Sequence, residues 1–143
     1  MQDKAVIMNI IAVYDKDCKN ILMCLRNKNP YKGLFNLVGG HVESGETDFQ
    51  AAYRELEEET EIKKSDIELC HVMDFTYYLS GYNLQAYFGI LNKNVTVHGD
   101  ENELMWMPAD FDFFDMNYFA GEGNIGHLIE QIKIHGLIGG TSK

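Results

Sequence analysis

The chain has 143 residues, of which 45% are hydrophobic and 24% charged, proportions typical of one soluble globular domain with its own core. Its formal net charge of −10 argues against a general nucleic-acid-binding surface, so nucleic acid is not an expected partner. No apolar run reaches the roughly 18 residues of a membrane span, and the N-terminal residues lack the order of a signal peptide, so no membrane association is expected.

Two strands are predicted in the first third of the chain, and a third strand is a candidate. Residues 5–14 and 21–25 are rich in β-branched and other apolar residues and flank a polar turn. Residues 34–38 form a shorter apolar run, and a candidate strand at 41–43 follows a pair of glycines. These segments indicate a sheet that precedes the first helix.

A helix from Asp48 to about Thr60 is predicted by its capping residues. Thr47 is a favourable N-cap, and Gln50 three positions later completes a capping-box pattern. At about 100° per residue, one side of this helix is mostly apolar and another side carries glutamates. The apolar side consists of Phe49, Ala52, Tyr53, Leu56 and Thr60, and the glutamate side consists of Glu55, Glu58 and Glu59.

The glutamates alone do not decide what that side of the helix does. Charged helix faces are commonly solvated surface, and like charges one turn apart destabilise a helix by only about 0.2–0.5 kcal/mol. However, 8 acidic residues and 1 basic residue lie between Gly40 and Glu61, which places −7 of the net −10 in this one segment. Such local acidity requires a local explanation.

Further strands and a helix are predicted in the second half of the chain. Residues 67–78 and 84–91 are expected to pair as a hairpin, and 103–107 to form another strand. A final helix is expected at about 125–135, followed by a loosely ordered tail at 136–143. The apolar face of that helix consists of Ile125, Leu128, Ile129 and Ile132.

Strands on both sides of a central helix, followed by a terminal helix, predict one domain over residues 1–143. The expected class is α/β, with a mixed central sheet covered on two faces by helices. Three cysteines in no C-x-x-C pair, namely Cys18, Cys24 and Cys70, predict reduced thiols in a cytoplasmic protein. The five histidines show no paired spacing, which argues against a zinc site.

Residues 40–62 resemble the Nudix box, G-x5-E-x7-R-E-U-x-E-E-x-G-U, where U is an aliphatic residue. The matching positions are Gly40, Glu46, Arg54, Glu55, Leu56, Glu58, Glu59 and Ile62. Glu61 is the departure, because the family has glycine there. The resemblance implies the family's α/β/α sandwich, with the box helix at about 48–60 and a C-terminal helix at about 125–135.

The resemblance also implies a pyrophosphohydrolase that cleaves a nucleoside diphosphate linked to another group and uses Mg²⁺ or Mn²⁺. By position, Glu58 and Glu59 correspond to the family's principal metal ligands, and Glu55 to a further ligand or the general base. Arg54 corresponds to the arginine that orients these glutamates through charge-assisted hydrogen bonds. Gly40 corresponds to a residue whose backbone oxygen lies close to the metal.

These residue types suit a polyphosphate substrate only when a cation is present. Two like charges about 4 Å apart repel by about 4 kcal/mol at an effective dielectric constant near 20. A divalent cation reverses the sign of this interaction, because carboxylate and phosphate oxygens both bind hard cations. The acidic segment is therefore compatible with an acidic substrate through a metal ion.

Four further acidic residues have two interpretations each. Glu46 is either a brace for the loop-to-helix junction or a first-turn acid favoured by the helix dipole. Many Nudix proteins add a carboxylate from a later loop, which makes Asp100 a candidate metal ligand and Glu101 and Glu103 candidate catalytic bases. The alternative for these three residues is an acidic turn before an edge strand.

Candidate substrate contacts lie on both sides of the box in sequence. Asn36 lies in a segment, 33–46, that resembles the corresponding one in oxidised-purine nucleotide hydrolases, where the matching asparagine binds the base. The alternative is a strand-end asparagine that satisfies the backbone. Arg26 is either a phosphate contact or a surface residue. Five aromatic residues either stack on a base or belong to the core, namely Tyr77, Tyr78, Tyr82, Tyr87 and Phe88.

Residues 121–126 match the pattern G-x-G-x-x-G. A dinucleotide site is rejected, because that fingerprint requires a preceding strand and an acidic residue about 20 positions later. A looped start to the final helix, capped by Asn124, is expected instead. The resemblance to MutT-like proteins also makes Glu122 and Asn124 candidate substrate contacts.

The leading hypothesis is a metal-dependent hydrolase of a nucleoside triphosphate, including oxidised purines such as 8-oxo-dGTP, with a homodimer as a candidate assembly. Alternatives are hydrolysis of nucleotide sugars, dinucleoside polyphosphates, ADP-ribose or capped RNA ends, or a non-catalytic nucleotide-sensing module. ADP-ribose hydrolases generally have a proline after the box, and residues 63–92 contain none. For Glu61, either the residue accepts a left-handed conformation or the helix ends differently.

Overall fold

The computed structural model describes residues 6–99 and 102–138, which form six strands and two α-helices. The elements are, in chain order, β1 (Val6–Tyr14), β2 (Asn20–Leu25), β3 (Phe35–Asn36), α1 (Asp48–Thr60), β4 (Cys70–Tyr77), β5 (Tyr82–Ile90), β6 (Glu103–Pro108) and α2 (Asn124–Ile134). A short 3-10 turn at Lys64–Asp66 follows α1. Over these residues, no helix is long and apolar enough to cross a bilayer.

The strands form one mixed sheet in the order β3-β2-β1-β5-β4, with β6 paired to β2. β1 runs parallel to β5, and the other named pairs are antiparallel. β1 and β2 pair only next to their connecting turn, at Tyr14 and Ile21. The rest of that edge of β1 is therefore available to another segment.

Residues 38–42 take that edge of β1. Within the apolar run 34–38, only Phe35 and Asn36 form a strand, because the chain leaves β2 and joins β1 immediately afterwards. The candidate strand at 41–43 is reduced to an isolated bridge at His41. Hydrophobic periodicity does not predict such a change of partner strand within a few residues.

The two helices cover opposite faces of the sheet. α1 places Ala52 and Leu56 in a buried cluster with Ile11, Val13 and Leu22 from the first two strands. α2 buries all four residues of its predicted apolar face against the other side. The predicted α/β/α arrangement with a mixed central sheet is confirmed.

One predicted member of the apolar side of α1 lies outside the core. Phe49 is 42% exposed, and its ring packs edge-on against Tyr87. Ala51, which the periodicity did not select, is fully buried. The helical period gives the direction of an apolar stripe, but it does not tell how far along that stripe the sheet extends.

Both ends of α1 are defined by specific backbone contacts. Thr47 and Gln50 form the predicted capping box. At the other end, Glu61 adopts the left-handed conformation with φ 67° and ψ 12°, and its N–H donates to the carbonyl of Glu57 at 2.8 Å. The chain thus keeps the backbone geometry for which the Nudix box has glycine, and it accepts the strain of a glutamate there.

Replacing Glu61 with glycine is expected to raise the free energy of unfolding by about 0.5–1 kcal/mol. Glycine relieves left-handed strain of about 1–2 kcal/mol, and its greater freedom in the unfolded chain offsets part of that gain. Urea denaturation measures the change. Glu57→Gly, in the interior of the same helix, is the control and should lower stability by about 1 kcal/mol. A loss of stability in Glu61→Gly would contradict the strain argument.

One expectation for the last part of the chain is wrong, and the tail is described only at its start. Gly123, not Asn124, is the N-cap of α2, and no side chain caps that helix. Leu137 and Ile138, at the start of the predicted loose tail, are half-buried and pack against the core. Residues 139–143 lie outside the described part of the chain.

Candidate active site

A cleft of about 820 Å³ includes the wall of α1 that carries the box glutamates. Glu55, Glu58 and Glu59 all line it, whereas Leu56 between them is buried in the core. Tyr31 and Tyr82 line another part of the same cleft. The predicted carboxylate side of the helix therefore faces a concavity with the volume of a small-molecule site.

Arg54 holds two of these glutamates in place. Its Nη1 donates to Glu55 Oε2 and to Glu58 Oε1, both at 3.2 Å. Its Nη2 donates to the carbonyl oxygen of His41 at 2.9 Å. Arg54 itself is absent from the cleft wall. Its geometry is that of a residue that orients the acids without touching a ligand.

Glu46 supports Arg54 from the loop before α1. Arg54 donates to Glu46 through Nη2 at 2.7 Å and through Nε at 3.0 Å. The Glu43 N–H also donates to Glu46, at 2.9 Å. The hydrogen bond from Arg54 holds the pKa of Glu46 below its ordinary value. Of the two interpretations of Glu46, the brace at the loop-to-helix junction matches these contacts.

Glu59 is a half-buried acid of the cleft wall. Its Oε1 accepts a hydrogen bond from the Gly39 N–H at 2.8 Å, and the Asn102 side chain also bonds its carboxylate. Burial raises the pKa of Glu59, and the charge of Glu55 adds to this effect. A nearby cation would reverse that shift, because it favours the charged form of the acid.

Asn9 is a site residue that the sequence analysis missed. Its backbone N–H donates to the Gly40 carbonyl at 2.7 Å, and its Oδ1 accepts from the Gly40 N–H at 2.9 Å. These two bonds clamp the Gly40 peptide beside Glu55, whose carboxylate occupies the space that a side chain at Gly40 would need. The signal in the sequence is that Asn9 is the one polar residue in the otherwise apolar or aromatic run 6–14.

The donors fit a hard divalent cation in chemical type. Three carboxylates share one wall of the cleft next to the Gly39–Gly40 turn, and Mg²⁺ and Mn²⁺ prefer carboxylate and carbonyl oxygens. Among the described residues, no group of three or more His, Cys, Asp or Glu side chains is arranged to enclose a metal ion. The fit is therefore one of donor type and location.

The predicted substrate contacts divide into two groups. Arg26, Asn36 and Asn124 line the cleft, whereas Glu122 is exposed and absent from its wall. Arg26 Nε donates to the carbonyl of Pro30 at 3.1 Å. Asn36 Oδ1 accepts from the N–H of the next residue at 2.8 Å, which is the backbone role that its alternative interpretation described.

The later acids and the aromatic residues are also placed in part. Glu103 is exposed on β6 and does not line the cleft, and Asp100 and Glu101 lie outside the described residues. Of the five aromatic candidates, only Tyr82 lines the cleft. The other four are placed as follows: Tyr77 stacks on Tyr82, Tyr78 is exposed, and Tyr87 and Phe88 are buried.

Cys24 lies in the cleft wall but is expected to be unreactive. Burial, together with the charge of Glu59, raises the pKa of its thiol to about 12. At about pH 8, iodoacetamide should modify the exposed Cys70 in the folded protein and leave Cys24 unmodified, because the thiolate is the reactive form. Peptide mass spectrometry measures both, and urea-unfolded protein, in which both should react, is the control. Rapid labelling of folded Cys24 would contradict the assignment.

Comparisons with known proteins agree with this architecture. A MutT structure from work on Aliivibrio salmonicida and Vibrio cholerae is 25% identical, covers 92% of this chain and 99% of its own, and superposes with a TM-score of 0.68. The C. elegans Ap4A hydrolase in a binary complex is 21% identical over 90% of this chain and 96% of its own, with a TM-score of 0.72, which shows the shared fold.

Sequence comparison identifies the family. A segment of 48 residues is 52% identical to the ADP-ribose pyrophosphatase of Methanocaldococcus jannaschii, and it spans 34% of this chain and 28% of that protein. The name of that relative points to hydrolysis of pyrophosphate bonds. The family model described as the NUDIX domain matches residues 3–113, most of the chain. The chain therefore belongs to the Nudix family.

Proposed function

We propose that the protein is a metal-dependent pyrophosphohydrolase that cleaves a nucleoside triphosphate to a nucleoside monophosphate and pyrophosphate. The observation that carries this proposal is the shared cleft wall of Glu55, Glu58 and Glu59, two of which are fixed by Arg54. A charge arrangement of this kind, in a cleft with the volume of a nucleotide site, suits a substrate that arrives with a divalent cation.

Each acidic residue of the cleft is assigned a role from its position. Glu58 and Glu59 would hold Mg²⁺ or Mn²⁺, with the Gly40 carbonyl close by, and Glu55 would act as a further ligand or as general base. When bound, the cation offsets the negative charge of these acids and polarises the phosphoryl group. Asp100, Glu101 and Glu103 are the other candidates for a ligand or a base.

The neutral and positive side chains of the cleft would bind the rest of the substrate. Arg26 is the cationic side chain in the cleft wall and is assigned to the phosphates. Asn36 and Asn124 also line the cleft and are assigned to the nucleoside. Asn36 can contribute its amide N–H groups, because its Oδ1 already accepts a backbone hydrogen bond.

ADP-ribose is the second candidate substrate. The 52% identity of a 48-residue segment to an ADP-ribose pyrophosphatase favours it. Both candidate reactions break a phosphoric anhydride and release a nucleoside 5′-monophosphate, so they place the same demands on the carboxylate wall. They differ in the group on the far side of the scissile bond.

A substrate panel tests the proposal. The purified protein is assayed for phosphate-containing products with nucleoside triphosphates, 8-oxo-dGTP, ADP-ribose, nucleotide sugars and dinucleoside polyphosphates, in Mg²⁺, Mn²⁺ and EDTA. We expect turnover that requires the cation and is fastest with a nucleoside triphosphate. Fastest turnover of ADP-ribose would select the second candidate. Nucleotide binding without turnover of any compound would instead indicate a nucleotide-sensing module and exclude the enzyme.

A further inference from the structure

Two strained residues meet at the edge of the cleft. Within residues 6–99 and 102–138, only four non-glycine residues have positive φ, and Tyr31 (φ 70°) and Glu122 (φ 51°) are two of them. The Tyr31 hydroxyl donates to Glu122, at 2.8 Å from Oε1 and 3.0 Å from Oε2. Strained backbone of this kind persists where surrounding contacts fix it, and it concentrates at functional sites.

The hydrogen bond fixes one wall of the cleft to another part of the chain. Tyr31 belongs to the loop between β2 and β3, and Glu122 lies in the turn before α2, 91 residues later. Backbone bonds already join the bases of these segments, from the Phe35 N–H to the Tyr118 carbonyl at 2.7 Å and from the Ala120 N–H to the Phe35 carbonyl at 2.9 Å. The loop is therefore already attached without the hydrogen bond from Tyr31 to Glu122. That bond instead orients the side chain of Tyr31.

The side chain of Tyr31 is only partly buried. It lines the cleft, and no aromatic ring in the described residues packs against it. Tyr82, the other tyrosine of the wall, already stacks on Tyr77 with ring centroids 4.7 Å apart. Burial and the contact with Glu122 raise the pKa of Tyr31 to about 12, so its hydroxyl remains a donor at neutral pH.

We propose that the ring of Tyr31 is the surface on which the base of the nucleotide packs, and that Glu122 is the positioning residue that holds this ring in place. The inference rests on the proposed nucleotide hydrolysis for its substrate class. Any of the bases can stack on the face of an aromatic side chain, so Tyr31 would favour a nucleoside over a bare sugar phosphate without selecting one base. Discrimination between bases would come from the side-chain amides of Asn36 and Asn124.

This assignment changes the role predicted for Glu122. Both of its carboxylate oxygens lie within hydrogen-bond distance of Tyr31, and the residue is exposed and outside the cleft wall. Glu122 would therefore influence substrate binding by holding Tyr31, without touching the substrate itself. Loss of the Glu122 acceptor should resemble loss of the Tyr31 hydroxyl, and both should have smaller effects than loss of the ring.

The test compares binding of AMP, GMP and ribose 5-phosphate to the full chain in Mg²⁺ by isothermal titration calorimetry. Wild type should bind AMP and GMP more tightly than ribose 5-phosphate. Tyr31→Leu should weaken AMP and GMP about 10-fold or more and leave ribose 5-phosphate unchanged, because it removes the stacking surface. Tyr78→Leu is the matched control, since Tyr78 is 88% exposed and outside the cleft, and it should change none of the three.

Three further variants separate the ring from its support. Tyr31→Phe and Glu122→Ala should each weaken AMP binding by about 3-fold, because each removes the hydrogen bond between the two side chains. Glu122→Gln should restore AMP binding, because its amide oxygen can still accept that hydrogen bond. In hydrolysis assays KM should rise more than kcat falls, as for a contact remote from the scissile bond. These milder variants decide the matter if Tyr31→Leu fails to fold.

The outcomes distinguish this inference from the proposed reaction. Equal weakening of AMP and ribose 5-phosphate by Tyr31→Leu, or no effect on either, would overturn the role of Tyr31. Failure of Glu122→Gln to restore what Glu122→Ala loses would overturn the role of Glu122. If AMP binds more tightly than ribose 5-phosphate but no compound is hydrolysed, the proposed reaction is wrong and the role of Tyr31 stands. If the protein hydrolyses nucleotides but binds AMP and ribose 5-phosphate equally, the reaction stands and the role of Tyr31 is wrong.

Discussion

Glu58→Gln is expected to lower kcat/KM for the preferred substrate by about 100-fold or more, because it removes one of the charges proposed to hold the cation. The side chain is 58% exposed, so the free energy of unfolding should change by no more than about 0.5 kcal/mol. Steady-state kinetics at saturating Mg²⁺, with urea denaturation of the same samples, measure the two quantities. A loss of activity without a loss of stability would show that Glu58 acts in the reaction and not in the fold.

Glu57→Gln is the matched control for this experiment. It makes the same change of charge one residue earlier in α1, but Glu57 is exposed and does not line the cleft. Its kcat/KM should stay within about 2-fold of wild type, because screening by solvent leaves little effect of a single exposed charge. Similar losses in Glu57→Gln and Glu58→Gln would point to net charge, and turnover that survives Glu58→Gln would remove Glu58 from the ligand set.

Gly39→Ala is expected to lower the free energy of unfolding by about 3 kcal/mol, the sum of steric overlap and backbone strain. The added methyl group would overlap the backbone carbonyl of Asn9, with its carbonyl carbon only 2.8 Å away. Asn9 belongs to β1, which is paired to β5 along its whole length, so its backbone cannot move cheaply. The φ of Gly39, +154°, adds strain for any side chain.

Gly45→Ala separates the two contributions. Gly45 also has positive φ, +89°, but a methyl group there would meet no atom within 4 Å. It should therefore show the backbone strain alone, a loss of about 1–2 kcal/mol. Urea denaturation of both variants gives the difference. Equal losses at the two positions would show that the approach of Gly39 to Asn9 is less tight than the structure indicates.

The sequence by itself determined the features that depend on neighbouring residues. The capping box of Thr47 and Gln50, the apolar stripe of α2 and the common side of Glu55, Glu58 and Glu59 follow from helix geometry, which is fixed within one or two turns. The Nudix resemblance follows from spacing within one segment of 23 residues. These predictions hold because the physical cause and the pattern lie in the same stretch of chain.

The tertiary structure decided the contacts between segments that are distant in sequence. The clamp of Asn9 on Gly40 joins residues 31 apart, and the bond between Tyr31 and Glu122 joins residues 91 apart. No local period encodes either contact, because each depends on which strand residues 38–42 pair with and on where α2 begins. The sequence predicted that the acids lie on one side of a helix. Which neutral side chains form the rest of the cleft wall depends on how the loops pack around that helix.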